Sequence, residues 1–306
     1  MASAVSSPAA TPRAARLDSI PPELLILTGA LSVQFGAGVA TSLMRQYGPL
    51  PVVAMRIGFG ALLLIAFQRV SVRGASRPAL ASCVALGLIL AVMNTLFYIG
   101  ISRIPLGVAV TIEFWGPLAV AVLGSRRWPD LVWVALAASG IYLLAGGRLT
   151  ADDAVGVGAV FAAGFCWALY IVVGRRLASY WPDGRGLTLA MTVAAVVMLP
   201  VVLVGSDVRP LLAAPVALAG GVVVALFSSA IPYTAEIAAL RRLPAATFGV
   251  LMSLEPAIAA AVGFLLLGQL LHTSDLVAIA CVALASAGAS ISARRRPADA
   301  GLLEAP

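Results

Sequence analysis

Lysine is absent from this 306-residue chain, histidine occurs once and cysteine three times. Charged residues make up 11% of the sequence, against about 25% in soluble domains. With His272 alone there is no HExxH pair, and without lysine there is no G-x-x-x-x-G-K-[ST] loop, so ATP hydrolysis and zinc chemistry lack their residues. Cys83, Cys166 and Cys281 fall in three different apolar runs, a pattern with neither disulfide nor metal spacing, and they read as small packing residues. No cofactor is expected. Residues 1–23 have no apolar h-region and are rich in Ala, Ser and Pro, the composition of a disordered tail and not of a signal peptide.

What is present is apolar: 61% of residues are hydrophobic and 29 are glycine. A soluble core cannot hold that share, whereas ten spans of about 20 residues can. Runs bounded by Arg, Asp, Pro or Gly lie near 24–44, 50–69, 79–100, 104–123, 131–147, 154–174, 187–204, 213–239, 245–267 and 275–292. The expected fold is an all-α membrane protein of ten transmembrane helices. Connections between the runs are short, so a binding site must be built from the helices.

The net charge of +7 rests on arginine alone. These arginines fall singly or in twos and threes between apolar runs, with no aromatic interleaving, which argues against nucleic acid as a partner. Loops on one side carry fifteen of them, including Arg175, Arg176, Arg241 and Arg242, and the other side carries Arg45, Arg103, Arg148 and Arg209. By the positive-inside rule both termini are then cytoplasmic.

Laying residues 103–124 on 242–263 matches Arg103 with Arg242, Pro105 with Pro244, Pro117 with Pro256, Ala121 with Ala260 and Gly124 with Gly263. The equal spacing of two prolines after an arginine carries the match, because proline is unusual inside a helix. The chain then divides into a cytoplasmic tail at 1–23, a five-helix repeat at 24–147, a second at 154–292 and a cytoplasmic tail at 293–306. Five is odd, so the second repeat is inverted relative to the first. Inverted repeats are characteristic of secondary transporters, with sites near the bilayer midplane.

Glu113 and Glu255 fall in mid-span, where a charged carboxylate costs about 2.5–3.5 kcal/mol on insertion scales. They are candidates for proton or substrate handling; the structural alternative is a hydrogen-bonded or neutral clamp between helices. Pro117 and Pro256 cannot donate to the carbonyls of Glu113 and Met252, which gives either a plain kink or a break exposing backbone to a wet cavity. Arg56 either snorkels outward or faces inward, to pair with a glutamate or bind a substrate carboxylate. Gln34, Asn94, Tyr98, Trp115, Trp167, Tyr170 and Tyr233 could line the cavity or serve interhelical packing. Trp128 and Trp181 read as interfacial anchors, and Glu236 as an ion-pair partner of Arg241 and Arg242.

Several stretches together resemble the threonine and homoserine exporter family of ten-helix, EamA-type carriers in the drug/metabolite transporter superfamily. They are AMRIGFGALLLIAF around Arg56, LFYIGISRIPLGVAV ending at Val110, EFWGPLAVAV from Glu113, CWALYI around Trp167, and IPYTAEIAALRRLPAATFGVLMSLEPA ending at Ala257. The resemblance implies export of small neutral amino acids across the bacterial inner membrane, in exchange for protons. It also implies that Arg56, Glu113, Glu236, Glu255, Pro117 and Pro256 belong to the family pattern. The competing expectation is an effluxer of other metabolites or cationic drugs on the same fold, with a lipid-active enzyme or a passive channel behind it.

Overall fold

The structure, a computed structural model, describes residues 20–67, 72, 74–123, 131–145, 150–181, 184–240, 242–243 and 245–294. Among the described residues all regular structure is helical. The helices are α1 Pro22–Tyr47, α2 Pro49–Phe67, α3 Arg77–Ile101, α4 Leu106–Glu113, α5 Trp115–Leu123, α6 Leu131–Ala145, α7 Ala151–Tyr180 and α8 Arg185–Gly205. A four-residue turn of helix, α9 Arg209–Leu212, leads to α10 Pro215–Ala225, a π-helical turn Leu226–Ala230 and α11 Ile231–Leu240. Then follow α12 Ala245–Met252, α13 Glu255–Leu267 and α14 Thr273–Arg294. The tails expected at 1–23 and 293–306 lie almost wholly outside the described residues, as do Trp128 and Arg241.

Among the described residues, seven helical stretches are long and apolar enough to cross a membrane, and three shorter apolar ones cover Leu106–Val120, Leu131–Leu143 and Pro215–Ala230. Helix is the expected state, because lipid offers no partner to a free backbone N–H or C=O. Side chains that cap helix ends come where the chain leaves the apolar zone. Ser76 Oγ accepts from Ala79 N at 3.3 Å at the start of α3, and Thr150 with Asp153 forms a reciprocal capping box on α7. The latter helix outruns its apolar stretch of 154–174, since Arg175 and Arg176 end the hydropathy but are good helix formers. It stops at Tyr180, just before the residue that precedes Pro182.

Large apolar side chains face outward along the bundle: Val204 is 90% exposed, Val216 86% and Leu265 76%. A water-soluble monomer rarely shows contiguous apolar surface on this scale, so the exposed belt is the lipid-facing wall. Inside, α1 packs on α11 and α13, while α7 packs on α3, α4 and α5; α2 meets α8, α4 meets α13 and α6 meets α14. The centre of the bundle is thus made of helices from opposite ends of the chain.

One contact fixes how closely these helices approach. A Cβ at Gly116 would overlap the Gly164 carbonyl, and a Cβ at Gly164 would lie 2.7 Å from the Glu113 carbonyl oxygen and 2.5 Å from Trp115 Nε1. Backbone therefore rests on backbone where α4, α5 and α7 cross, as small residues allow in membrane bundles.

Candidate functional site

The two interrupted helices occupy matched positions. α4 covers Leu106–Glu113 and α12 covers Ala245–Met252, which are the same eight positions under the sequence offset of 139. Each stops at the residue whose carbonyl is deprived of a donor by the following proline, Pro117 or Pro256. The backbone at Phe114 and Leu254 stays in the right-handed helical region, so each interruption is a local irregularity and not an unwound loop. Glu113 ends the first half of one helix and Glu255 begins the second half of the other. A Cβ at Gly164 of α7 would lie 2.7 Å from the Glu113 carbonyl oxygen, so α7 passes close to this carbonyl.

Glu255 is 5% exposed. It lies within electrostatic reach of Glu113 and of Glu236, and Glu113 within reach of Arg56. Three carboxyl groups and one guanidinium thus share the bundle interior. Of the pairing expected between Glu236 and Arg241 and Arg242, the Arg241 part lies outside the described residues; Arg242 Nη1 donates to the Ile20 carbonyl at 2.7 Å, and Glu236 lies within electrostatic reach of Glu255.

Arg56 points inward. Its Nη2 donates to the Ser228 carbonyl at 3.3 Å, and its Cζ lies 5.5 Å from the centre of the Tyr98 ring. Sequence reasoning missed Ser228, although the signal that marks Pro117 and Pro256 was available. Pro232 lacks the N–H that would bond the carbonyl four residues earlier, which is that of Ser228. Around this missing bond the helix widens into the π turn, a feature frequent at functional sites, and the Arg56 guanidinium takes the freed oxygen. Helix α1 seals the other side of the turn: Ser32 Oγ donates to the Phe227 carbonyl at 2.6 Å, and Gly36 leaves room for Ser228 Oγ.

The remaining candidates separate. Tyr98 is fully buried and Gln34 is 2% exposed; the Tyr98 hydroxyl and Gln34 Oε1 are without a hydrogen-bond partner among the described residues. Asn94 donates Nδ2 to the Leu90 carbonyl of its own helix at 2.7 Å. Trp115 turns onto α7, stacking on Phe161 at 4.6 Å and donating Nε1 to the Phe161 carbonyl at 2.9 Å. Trp167 meets Phe114 edge-to-face at 5.1 Å, and Tyr170 is half-buried against the core. The Tyr233 side chain lies outside what is described. Trp181 is 8% exposed, donating Nε1 to the Ala79 carbonyl at 3.4 Å, so it is packed between helices and not laid on a lipid interface.

A cavity of about 240 Å³ opens at the end of the bundle where α1 and α3 finish and α4 begins, lined among others by Thr41, Arg45, Arg103 and Gln269. Two links cross there: Arg103 Nε to Asp152 Oδ1 at 3.1 Å, and Leu106 N donating to Gln269 Oε1 at 3.0 Å. Arg242, the repeat partner of Arg103, makes the corresponding reach to Ile20 ahead of α1. Asp152 is largely exposed, so its pair is worth about 0–1 kcal/mol.

Charged groups held inside a bundle with an apolar outer wall define a multi-pass membrane protein with an internal polar site. Residues 154–291 match the EamA-like transporter family. The chain is 38% identical over 286 residues to the threonine/homoserine exporter RhtA of Salmonella typhimurium strain LT2, covering 90% of this chain and 93% of that protein. It is 38% identical over 279 residues to RhtA of Escherichia coli strain K12, with 90% and 92% covered. A protein of known crystal structure shares the fold, with a TM-score of 0.62 at 20% identity over 90% of this chain and 99% of that one. The chain belongs to the EamA-like transporter family.

Proposed function

We propose that this protein exports threonine and homoserine from the cytoplasm across the bacterial inner membrane, in exchange for protons. The observation that carries the substrate class is the 38% identity over 90% of the chain to exporters of that name. The interior chemistry suits the ligand, since a zwitterion needs an anion for its ammonium and a cation for its carboxylate. Here the glutamates offer the first and Arg56, with a planar fork matched to carboxylates, the second. Efflux of lipophilic cations on the same fold would give the Arg56 guanidinium no ligand carboxylate to bind and leave it only the Ser228 carbonyl. Cells lacking the gene should become sensitive to excess threonine and homoserine; sensitivity to lipophilic cations alone would overturn the substrate assignment.

The architecture we infer is ten spans in two inverted five-helix repeats. Seven long apolar stretches, with three shorter ones beside them, support that reading. The packing is consistent with exchange of the halves: α1 against α11, α12 and α13 corresponds to α7 against α3, α4 and α5. The paired breaks and the paired reaches of Arg103 and Arg242 follow the same symmetry. With both termini cytoplasmic, the Arg45 and Arg103 cavity is periplasmic. In a background lacking Cys83, Cys166 and Cys281, Ser179→Cys near the end of α7 should be labelled only from the cytoplasmic side. Labelling from the periplasm would reverse the topology.

Arg56→Lys tests the carboxylate site, because an ammonium cannot reproduce a bidentate fork. Transport should fall by the worth of a charge-assisted hydrogen bond, about 1.5–3 kcal/mol or at least roughly tenfold. Full activity in Arg56→Lys and again in Arg56→Gln would show that the residue does no more than cap the Ser228 carbonyl.

A further inference from the structure

Two hydroxyl groups stand beside Arg56 without a well-formed hydrogen bond among the described residues. Tyr98 is the largest fully buried side chain among the described residues, and Ser228, at the centre of the π turn, is 2% exposed. The Tyr98 hydroxyl lies within hydrogen-bonding reach of both Arg56 and Ser228 Oγ, but neither hydroxyl makes a bond of good distance and angle among the described residues, so the two can turn to a ligand without breaking a formed bond. Arg56 itself spends one donor, at 3.3 Å, on a carbonyl. Leaving a buried hydroxyl unsatisfied is unfavourable, and apolar Phe and Ala would fill these positions without that cost. Serine elsewhere in these helices bonds a carbonyl of its own turn, as Ser42, Ser82 and Ser139 do. At Ser228 no such bond forms.

We propose that Tyr98 and Ser228 are the specificity-determining residues of the substrate site, binding the side-chain hydroxyl of a hydroxy amino acid whose carboxylate is held by Arg56. The inference rests on the exporter reading above and deepens it. A hydroxyl both donates and accepts, so one substrate oxygen can accept from Tyr98 while donating to Ser228 Oγ, or the reverse. The three groups come from α2, α3 and the π turn of the opposite half, so a ligand bridging them joins the two halves. An isosteric substrate with methyl in place of hydroxyl leaves both protein groups unpaired. A site built to bond a hydroxyl therefore rejects such an analogue far more strongly than an apolar pocket rejects an extra methylene.

Threonine and valine differ in this one replacement, which makes the test direct. Purified protein in vesicles is assayed for counterflow of labelled threonine and of labelled valine, in wild type and in Tyr98→Phe, Ser228→Ala and the double variant. Wild type should favour threonine at least roughly a hundredfold in kcat/KM, and the double variant should lower that ratio by about tenfold or more. Wild type that moves threonine and valine equally overturns the proposal without any variant. So does a variant in which both substrates fall in parallel with the ratio kept, the behaviour of a merely structural role. If the double variant does not insert, Tyr98→Phe carries the test, since it deletes one oxygen and keeps the ring beneath Arg56. Wild type that moves neither threonine nor homoserine contradicts the exporter reading itself, a result separable from an unchanged ratio in an active protein.

Discussion

Gly116→Ala should markedly lower the melting temperature of the protein, although it adds a single methyl group. The new Cβ would overlap the Gly164 carbonyl, and a backbone oxygen cannot rotate away as a side-chain tip can. Relief requires α5 to move off α7, which also disturbs the Trp115 stacking on Phe161 and its bond to the Phe161 carbonyl. Overpacking in a close-packed core costs about 1–3 kcal/mol, and rigid backbone contact lies at or beyond the upper end. The control is Gly58→Ala in α2, where a Cβ meets nothing within 4 Å. There alanine gains up to about 1 kcal/mol of helix propensity. The melting temperatures in detergent should part in opposite directions from wild type. Equal melting of Gly116→Ala and wild type would show that α5 and α7 are not in this contact.

Glu113→Gln should remove proton-driven export while threonine-for-threonine exchange continues, whereas Glu255→Gln should lose both. The two carboxyl groups lie within electrostatic reach of each other, with Glu236 beside Glu255 and Arg56 beside Glu113. Neighbouring carboxylates in a dry site hold one negative charge more readily than two. On the proposed mechanism an ammonium arriving at Glu255 would neutralise that charge and let Glu113 give up its proton, so that outward substrate and inward proton would alternate. Glutamine keeps the size and an acceptor oxygen but cannot carry the proton, and so uncouples without emptying the site. Normal gradient-driven export in both variants would mean that neither residue is the coupling group.

The long apolar helices were legible because lipid imposes a length and a composition on any helix that crosses it. Missing N–H groups made the irregularities at Pro117 and Pro256 legible, and the same argument applied to Pro232 leads to the π turn and Ser228. Which face of each helix looks inward was not legible. In a soluble protein apolar periodicity marks the buried face, but a transmembrane helix is apolar both where it packs and where it meets lipid, so the period carries no phase. Trp115 shows the consequence, since it sits next to Glu113 and Gly116 in the chain but turns onto α7. Arg56 was legible as an inward candidate through its cost in the membrane, but its partners on α3 and the π turn depend on helix order, which sequence pattern does not reveal. Asn94 was indistinguishable from Gln34 in the sequence, yet one bonds its own helix and the other keeps an orphan oxygen.

Transport in inside-out vesicles tests the central claim most directly. Vesicles containing the protein and acidified inside should accumulate labelled threonine and homoserine from the medium, with saturation, and should lose the accumulation when a protonophore collapses the gradient. Uptake equal to that of vesicles without the protein, or a linear flux indifferent to the gradient, would contradict it.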